Sequence, residues 1–238
     1  MNIWVAYLNL ENIYGDSNSF ENIIQRALEV NDKKKIYLHL IDIYKINNNN
    51  NNNINLINDV FKMIFNIDNN DINVWKKYFD FIFDVNYNNN NNGNNNEFNI
   101  NEKLNHCLQI LNNKNHLNIL IYYGTLLYKY KDFEKGRNVF DKILKDFPKR
   151  IDIWFIYIDM EVKYSGNNEK VKKIFDKMFD VDFKLKQLKN VMKKYLEFWK
   201  KIAKNEKEFF QAKEKVEKII ESKMQIDDDD ENKNEDSN

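Results

Sequence analysis

The chain has few of the residues that interrupt helices or form covalent cross-links. Of its 238 residues, one is proline, five are glycine and one is cysteine. A single cysteine excludes a disulfide within the chain, and scarce proline and glycine favour long helices. No apolar run approaches the roughly 18 residues of a membrane span, and the start lacks the basic and apolar regions of a signal peptide. We therefore expect an all-α protein of a reducing compartment with no membrane partner.

The chain also lacks net charge, since 37 basic residues balance 37 acidic ones. The charges are, however, unevenly distributed along the chain. Residues 131–218 hold 24 basic and 16 acidic side chains, whereas residues 219–238 hold 2 basic and 8 acidic side chains. The densest basic stretch, residues 184–204, has two interpretations. It is either a solvated helix face or a positively charged surface that binds nucleic acid or an acidic protein. Its candidate RNA-binding residues are Lys184, Lys186, Lys189, Lys193, Lys194, Lys200, Lys201 and Lys204.

A pattern of aromatic and apolar residues repeats along the chain. The segment Trp154–Glu161 is typical of the first helix of a hairpin, and its phase recurs around positions 7, 40, 78, 122, 157 and 195. These positions are 33 to 44 residues apart, which is the period of helix-pair repeats. The predicted repeat-core residues are Trp4, Tyr7, Trp75, Tyr78, Tyr122, Phe140, Trp154, Tyr157, Phe175 and Tyr195.

The second helices share large apolar residues four positions apart, as in Phe140-Asp-Lys-Ile-Leu144 and Phe175-Asp-Lys-Met-Phe179. Such a pair lies on one helical face and can contact both the partner helix and the next repeat. Together the two patterns predict about six hairpins that fold as one helical-repeat solenoid over residues 1–224. The predicted hairpins are about 1–30, 35–67, 72–112, 117–147, 151–181 and 184–224.

Two asparagine runs and an acidic end fall outside this repeat. The runs at 47–53 and 88–96 lie between the first and second helix of a repeat, and we expect mobile loop insertions there. Residues 225–238 are acidic with almost no apolar side chain, which predicts a disordered tail. The first motif tryptophan, Trp4, follows Met1 with no lead-in, so we expect the chain to be a piece of a longer protein.

The sequence contains no recognisable catalytic motif. His39, His106 and His116 are scattered, and Cys107 occupies a repeat-core position, so we expect packed or solvent-exposed roles. Glu11 and Glu161 share one repeat position, which suggests a recurring polar contact. We predict no enzymatic activity, no cofactor, no metal and no small-molecule substrate.

The first-helix motif, aromatic-x-x-Tyr-x-x-x-Glu, resembles the HAT (half-a-TPR) repeat. Blocks such as Leu8–Gly15, Tyr37–Tyr44, Phe147–Glu161 and Val171–Met178 are similar, in the same order, to the C-terminal HAT region of the ribosomal RNA processing protein 5 family. The resemblance implies a HAT/TPR-like right-handed solenoid. The asparagine runs are additions of a kind common in proteins of malaria parasites.

The resemblance also implies a function and a set of partners. It predicts a non-catalytic scaffold of the nucleolus that docks in the small-subunit processome during early pre-ribosomal RNA processing. Its partners would be pre-ribosomal proteins, with pre-ribosomal RNA or small nucleolar RNA as further ligands. The alternative, from the same repeat class, is a scaffold of a splicing or mRNA 3′-end processing complex. The family's N-terminal OB-fold domains are missing from this chain.

Overall fold

The computed structural model describes residues 2–46, 52–89 and 98–235. Within this part the chain forms twelve α-helices, one π-helical turn and no β-strand, so the predicted all-α repeat of helical hairpins is confirmed. The helices pair in chain order, α1 with α2 through α11 with α12, as the repeat alignment predicts. They are α1 Asn2–Tyr14, α2 Ser17–Val30, α3 Lys33–Ile46, α4 Asn52–Ile67, α5 Ile72–Asn89, α6 Ile100–Ile110, α7 Asn113–Lys129, α8 Phe133–Asp146, α9 Ile151–Met160, α10 Asn168–Phe179, α11 Leu185–Ile202 and α12 Glu206–Glu235.

The chain divides into two compact units, residues 1–119 and residues 120–238, with the division inside α7. In the first unit, Leu8, Ile23, Ala27 and Ile36 belong to one buried cluster formed by α1, α2 and α3. In the second unit, Phe140, Ile143 and Leu144 of α8 are buried, as are the inward residues of α9, α10 and α11.

Short polar side chains set where several helices begin. Asp16, Asn99 and Asn167 each accept a hydrogen bond from the backbone N–H three residues on, at 2.8, 3.3 and 3.0 Å. Each bond satisfies one of the four N–H groups that a helix start leaves unpaired. At two other starts a tryptophan reaches back, since the indole N–H groups of Trp75 and Trp154 donate at 2.8 Å to the carbonyl groups six residues earlier.

Aromatic packing between successive hairpins forms the main contact of the repeat. The ring of Tyr157 stacks on Phe140 of the preceding helix, with ring centroids 5.1 Å apart. Tyr78 lies 5.0 Å from Phe61 of α4, and Tyr195 lies 5.2 Å from Phe175 of α10. The central tyrosine of a first helix is thus buried by the second helix of the hairpin before it.

Most of the predicted repeat-core residues are buried, but three are not. Trp75, Tyr78, Phe140, Trp154, Tyr157, Phe175 and Tyr195 are each at most 5 % exposed. By contrast, Tyr7 is 38 % exposed, so its predicted burial is wrong. Only one face of α1, centred on Leu8, is covered by described helices, and Tyr7 lies about 100° away from it. Trp4 and Tyr122 are half-buried, and next to Tyr122 it is Tyr123 that is buried.

Two glycines allow α7 and α8 to approach closely. A Cβ atom at Gly124 would lie 3.0 Å from the ring of Phe140, and a Cβ atom at Gly136 would lie 2.8 Å from the ring of Tyr128. Both distances are below ordinary van der Waals contact. The buried aromatic rings therefore occupy space that any other residue at these positions would need.

Ion pairs join helices one repeat apart. Lys177 of α10 binds Asp141 of α8 at 3.0 Å, and Lys215 of α12 binds Asp176 of α10 at 2.6 Å. In the first unit, Lys34 binds both Asp68 and Asp71. Exposed pairs of this kind contribute only about 0.2–1 kcal/mol each. These ion pairs therefore add little stability, and their main effect is to align neighbouring helices with one another.

A buried carboxylate lies where α9 ends in a π-helical turn, residues Glu161–Ser165. The Gly166 N–H donates to the Glu161 carbonyl five residues back, at 2.9 Å, and Gly166 has φ +63°, a conformation that favours glycine. The Glu161 side chain is fully buried. It accepts hydrogen bonds from both Nε and Nη2 of Arg137 and from the Tyr128 hydroxyl. The recurring position Glu161 thus forms a polar contact between hairpins, as the sequence suggests.

The predicted insertions and tail fall largely beyond the described side chains. Residues 47–51 and 90–97 lie outside the described residues, and Asn52 and Asn53 begin α4. The backbone of α12 continues to Glu235, through most of the stretch for which the sequence predicts disorder. Once a helix is nucleated, each further residue adds a hydrogen bond.

We expect Tyr157→Ala to lower the free energy of unfolding by about 3–5 kcal/mol, because it removes a buried ring that stacks on Phe140. Tyr7→Ala is the matched control at the same repeat position, and its cost should be about 2 kcal/mol smaller because Tyr7 is 38 % exposed and Tyr157 only 3 %. Denaturant unfolding of both variants checks this. Equal losses would contradict the assigned contact.

Glu161 should make stability depend on pH. Burial opposes its ionisation, but hydrogen bonds from Arg137, Tyr128 and Ser165 outweigh that effect, so the pKa of Glu161 lies below its ordinary value of 4.5. A depressed folded-state pKa contributes stability above pH 4.5 that is lost as the pH falls through the folded value.

We expect Glu161→Gln to cost about 3 kcal/mol at pH 7, because Arg137, only 12 % exposed, loses its buried partner and keeps only the exposed Glu134. The difference between parent and variant should shrink below pH 4.5, where the parent also loses the charge. Unfolding free energies from pH 7 to pH 3 measure it. A difference that stays constant over this range would show that ionisation of Glu161 contributes nothing.

Candidate nucleic-acid interface

The basic stretch of residues 184–204 forms α11 and its two flanks. Leu188, Val191, Met192, Tyr195 and Phe198 are buried, so one face of α11 is fully used by packing. Among them, the ring of Tyr195 lies 5.2 Å from both Phe175 and Phe179 of α10. This packing fixes the rotation of α11 and therefore which lysines point outward.

Four lysines form a stripe on the outer face of α11. Lys186, Lys189, Lys193 and Lys200, here called the α11 lysine stripe, are all exposed. At 100° per residue they fall within an arc of about 60°, and they extend over roughly 21 Å of helix axis. None of the four ammonium groups forms an ion pair with any residue that the structure describes. The stripe is therefore a row of positive charges that no described acidic residue neutralises, and it is long enough to contact several phosphates.

Lys194 has a different role from its neighbours. Its ammonium group binds Asp159 at 2.7 Å and lies 4.8 Å from the ring centroid of Phe155, so it links α11 to α9. Its side chain is only 25 % exposed. Sequence spacing alone groups Lys194 with the RNA-binding candidates. Its partners Asp159 and Phe155 lie 35 and 39 positions earlier, where no local pattern indicates them.

The other three candidates lie at the edges of this surface. Lys184 is the residue before α11, and Lys204 lies in the turn that leads to α12. Lys201 is exposed on the same flank of α11 as Lys194. The structure thus brings four of the eight predicted lysines into one row and separates the rest.

Sequence reasoning missed Arg137, which binds the buried Glu161 and also Glu134 at 2.5 Å. Its only sequence signal is its place three residues before the apolar residue Phe140, and that signal does not indicate a charge partner.

The histidines and the cysteine take structural positions. His116 lies in the first turn of α7, where its Nε2 is 2.8 Å from the Leu111 carbonyl oxygen. His106 packs against Trp75, and His39 lies 3.2 Å from Asn9. Cys107 is fully buried, and burial raises the pKa of its thiol to about 12. At neutral pH this thiol is not a nucleophile.

The described residues offer neither a metal site nor a membrane span. No group of three or more His, Cys, Asp or Glu side chains among them is placed to hold a metal ion. None of the described helices combines the length and apolar character needed to cross a bilayer. What the described surface offers instead is the α11 lysine stripe.

Comparison with known proteins shows similarity over most of the chain. A mouse protein, "Protein RRP5 homolog" of Mus musculus, is 30 % identical over 223 residues, which is 94 % of this chain and 11 % of the relative. The "rRNA biogenesis protein RRP5" of Arabidopsis thaliana is 26 % identical over 209 residues, 87 % of this chain and 10 % of the relative. The "rRNA biogenesis protein rrp5" of Schizosaccharomyces pombe is 27 % identical over 206 residues, 87 % and 11 %.

The chain thus spans about a tenth of the length of these curated relatives. Homology to them extends over most of the chain, so the resemblance inferred from the motif blocks is confirmed. A family model described as "Suppressor of forked protein (Suf)" matches residues 102–226, which is more than half of the 238 residues. The all-α hairpins fit this family of helical repeats. The chain belongs to the Suppressor of forked protein (Suf) family.

Proposed function

We propose that the chain is a non-catalytic scaffold in ribosome biogenesis that docks in the small-subunit processome during early pre-ribosomal RNA processing. The observation that carries the proposal is its 26–27 % identity, over most of its length, to proteins named for rRNA biogenesis. The fold supports it, because hairpins that bury their aromatic residues against one another present extended outer surfaces for partners.

The partners follow from this role. They are pre-ribosomal proteins and processome components, with pre-ribosomal RNA or small nucleolar RNA bound through exposed lysines, and the site of action is the nucleolus. The asparagine runs at 47–53 and 88–96 support an origin in a malaria-type parasite.

We infer that the α11 lysine stripe contacts RNA phosphates. The four ammonium groups are exposed, unpaired among described residues, and held on a helix whose rotation is fixed by its buried face. Contacts of this kind release counterions and carry no sequence information. Binding should therefore be weak, poorly selective for sequence and strongly dependent on salt.

Crosslinking in cells tests the assignment to ribosome biogenesis. The tagged chain is expressed in its source cells, and the RNA crosslinked to its complexes is sequenced. We expect pre-ribosomal RNA and small nucleolar RNA to be enriched over an untagged control. Enrichment of spliceosomal RNA or of mRNA 3′ ends instead would assign the chain to the alternative class of complexes.

Replacing Lys186, Lys189, Lys193 and Lys200 by Glu should abolish binding of single-stranded RNA without unfolding the chain. Each lost phosphate contact should reduce the slope of log affinity against log salt by about 0.7. Titrations at several salt concentrations, with circular dichroism as a check on folding, measure both effects. Lys194 is left unchanged because its ion pair with Asp159 links two helices.

A matched control variant makes the same number of Lys→Glu replacements on other helices of the same unit, residues 120–238. Lys142, Lys145, Lys170 and Lys173 lie on α8 and α10 and are also exposed. Their replacement by Glu gives the same net charge as the stripe variant. If both variants lose RNA equally, the attraction is a general effect of net charge and the stripe is not the site.

A further inference from the structure

The first helix carries a stripe of large apolar side chains that the described residues leave exposed in large part. Ile3, Tyr7, Leu10 and Tyr14, here called the α1 stripe, are 83, 38, 54 and 81 % exposed. Their spacing of four, three and four residues places them within an arc of about 60° on one helical face. Soluble proteins rarely leave such a continuous row of large apolar side chains in water.

The same repeat position is covered in three later hairpins. Tyr78, Tyr157 and Tyr195 are 5, 3 and 4 % exposed, and Tyr7 holds their position in the first repeat. Each of the three is buried by an aromatic residue of the helix that precedes it: Phe61 of α4, Phe140 of α8 or Phe175 of α10. Tyr7 thus has the residue type of this interface position but no aromatic residue of a described preceding helix against it.

Two further residues of α1 correspond to residues that contact the preceding hairpin in a later repeat. Trp4 corresponds to Trp154, whose indole donates to the Pro148 carbonyl in the turn before its helix. Glu11 corresponds to Glu161, which is bound by Arg137 of the preceding helix. Here Glu11 accepts a hydrogen bond from Ser19 of α2 instead. Three positions of α1 thus match residues that elsewhere contact the preceding hairpin.

The composition of α1 indicates the chemistry of the occupant. Its only charged residue is Glu11, so it offers no cation for nucleic acid and few charges for a polar partner. Repeat arrays need a polar outer face on a terminal repeat, and α1 does not provide one. The exposed residues of α12, in contrast, are mostly charged. The α1 face is therefore built to be buried by apolar side chains.

We propose that the α1 stripe docks the second helix of another helical hairpin, one that carries large apolar residues four positions apart. Phe61 and Phe65, Phe140 and Leu144, and Phe175 and Phe179 provide such pairs within this chain. The docked helix places its first apolar residue on Tyr7, as Phe140 does on Tyr157. An amphipathic helix that binds a helical face through such anchors is an established mode of recognition.

The test adds a helix of known sequence before α1, at the same distance along the chain as the helix that precedes α9. A copy of residues 132–150, which contains α8 and the following turn, is fused directly before Met1. The copied Pro148 then lies six residues before Trp4, as Pro148 does before Trp154. The copied Phe140 precedes Tyr7 by the same number of residues as Phe140 precedes Tyr157, and the copied Arg137 precedes Glu11 as Arg137 precedes Glu161. Hydrogen exchange of the α1 amides should slow by at least about tenfold in the fusion.

Two matched variants separate docking from the mere addition of residues. The fusion with Phe140→Glu in the copied segment, and the fusion with Leu10→Asp in α1, should both return exchange to the rate of the parent. Leu10 is 54 % exposed, so its replacement leaves the parent folded. If the α1 amides exchange alike in the fusion and in its Phe140→Glu variant, the proposal is wrong.

A second copy of the chain is the other occupant to exclude. Light scattering with size-exclusion chromatography on the unmodified chain should give a monomer. A dimer that Leu10→Asp dissociates would assign the α1 stripe to self-association and would overturn the proposal. These outcomes are independent of the role in ribosome biogenesis, which the crosslinking experiment tests.

Discussion

The contact between a tyrosine of one hairpin and a phenylalanine of the hairpin before it is the interaction on which the structure depends. A hairpin of about 35 residues cannot bury its own aromatic side chains, so each one is folded only as far as its neighbours cover it. The stacked pair of Tyr157 and Phe140 and the contacts of Tyr78 and Tyr195 repeat this solution. At Tyr7, which no helix precedes within the described residues, the same residue type is 38 % exposed.

Polar contacts define how the hairpins are aligned, which apolar packing alone does not. Stacked faces are weakly directional, whereas the buried Glu161 fixes the position of Arg137 and Tyr128 through three hydrogen bonds. The π-helical turn that ends α9 surrounds this carboxylate. Ion pairs such as Lys177 with Asp141 repeat the alignment on the surface at little energetic gain. The hairpin of α7 and α8 and the hairpin that begins with α9 are therefore aligned by the buried Glu161 and held together by apolar burial.

The candidate interface is a consequence of the same packing. Because one face of α11 is committed to Tyr195, Phe198 and their neighbours, its lysines are confined to the remaining surface. Lys194 lies close enough to Asp159 to join that packing, and the α11 lysine stripe does not. The two ends of the chain also differ in chemistry, with an uncharged apolar α1 and a charged α12. Different repeats of one chain can in this way offer one surface to phosphates and another to a helix.

The sequence by itself determined the helices, their pairing and the phase of the repeat. Scarce proline and glycine, the Trp154–Glu161 motif and the apolar pairs such as Phe140 and Leu144 are local signals, and local signals define helices and their inner faces. Which lysines remain free, why Tyr7 is exposed and which residue pairs with Glu161 were decided only by the tertiary structure. These depend on partners some 24 to 36 residues away, or on which faces of α1 the neighbouring helices α2 and α3 cover, and no local pattern reveals either.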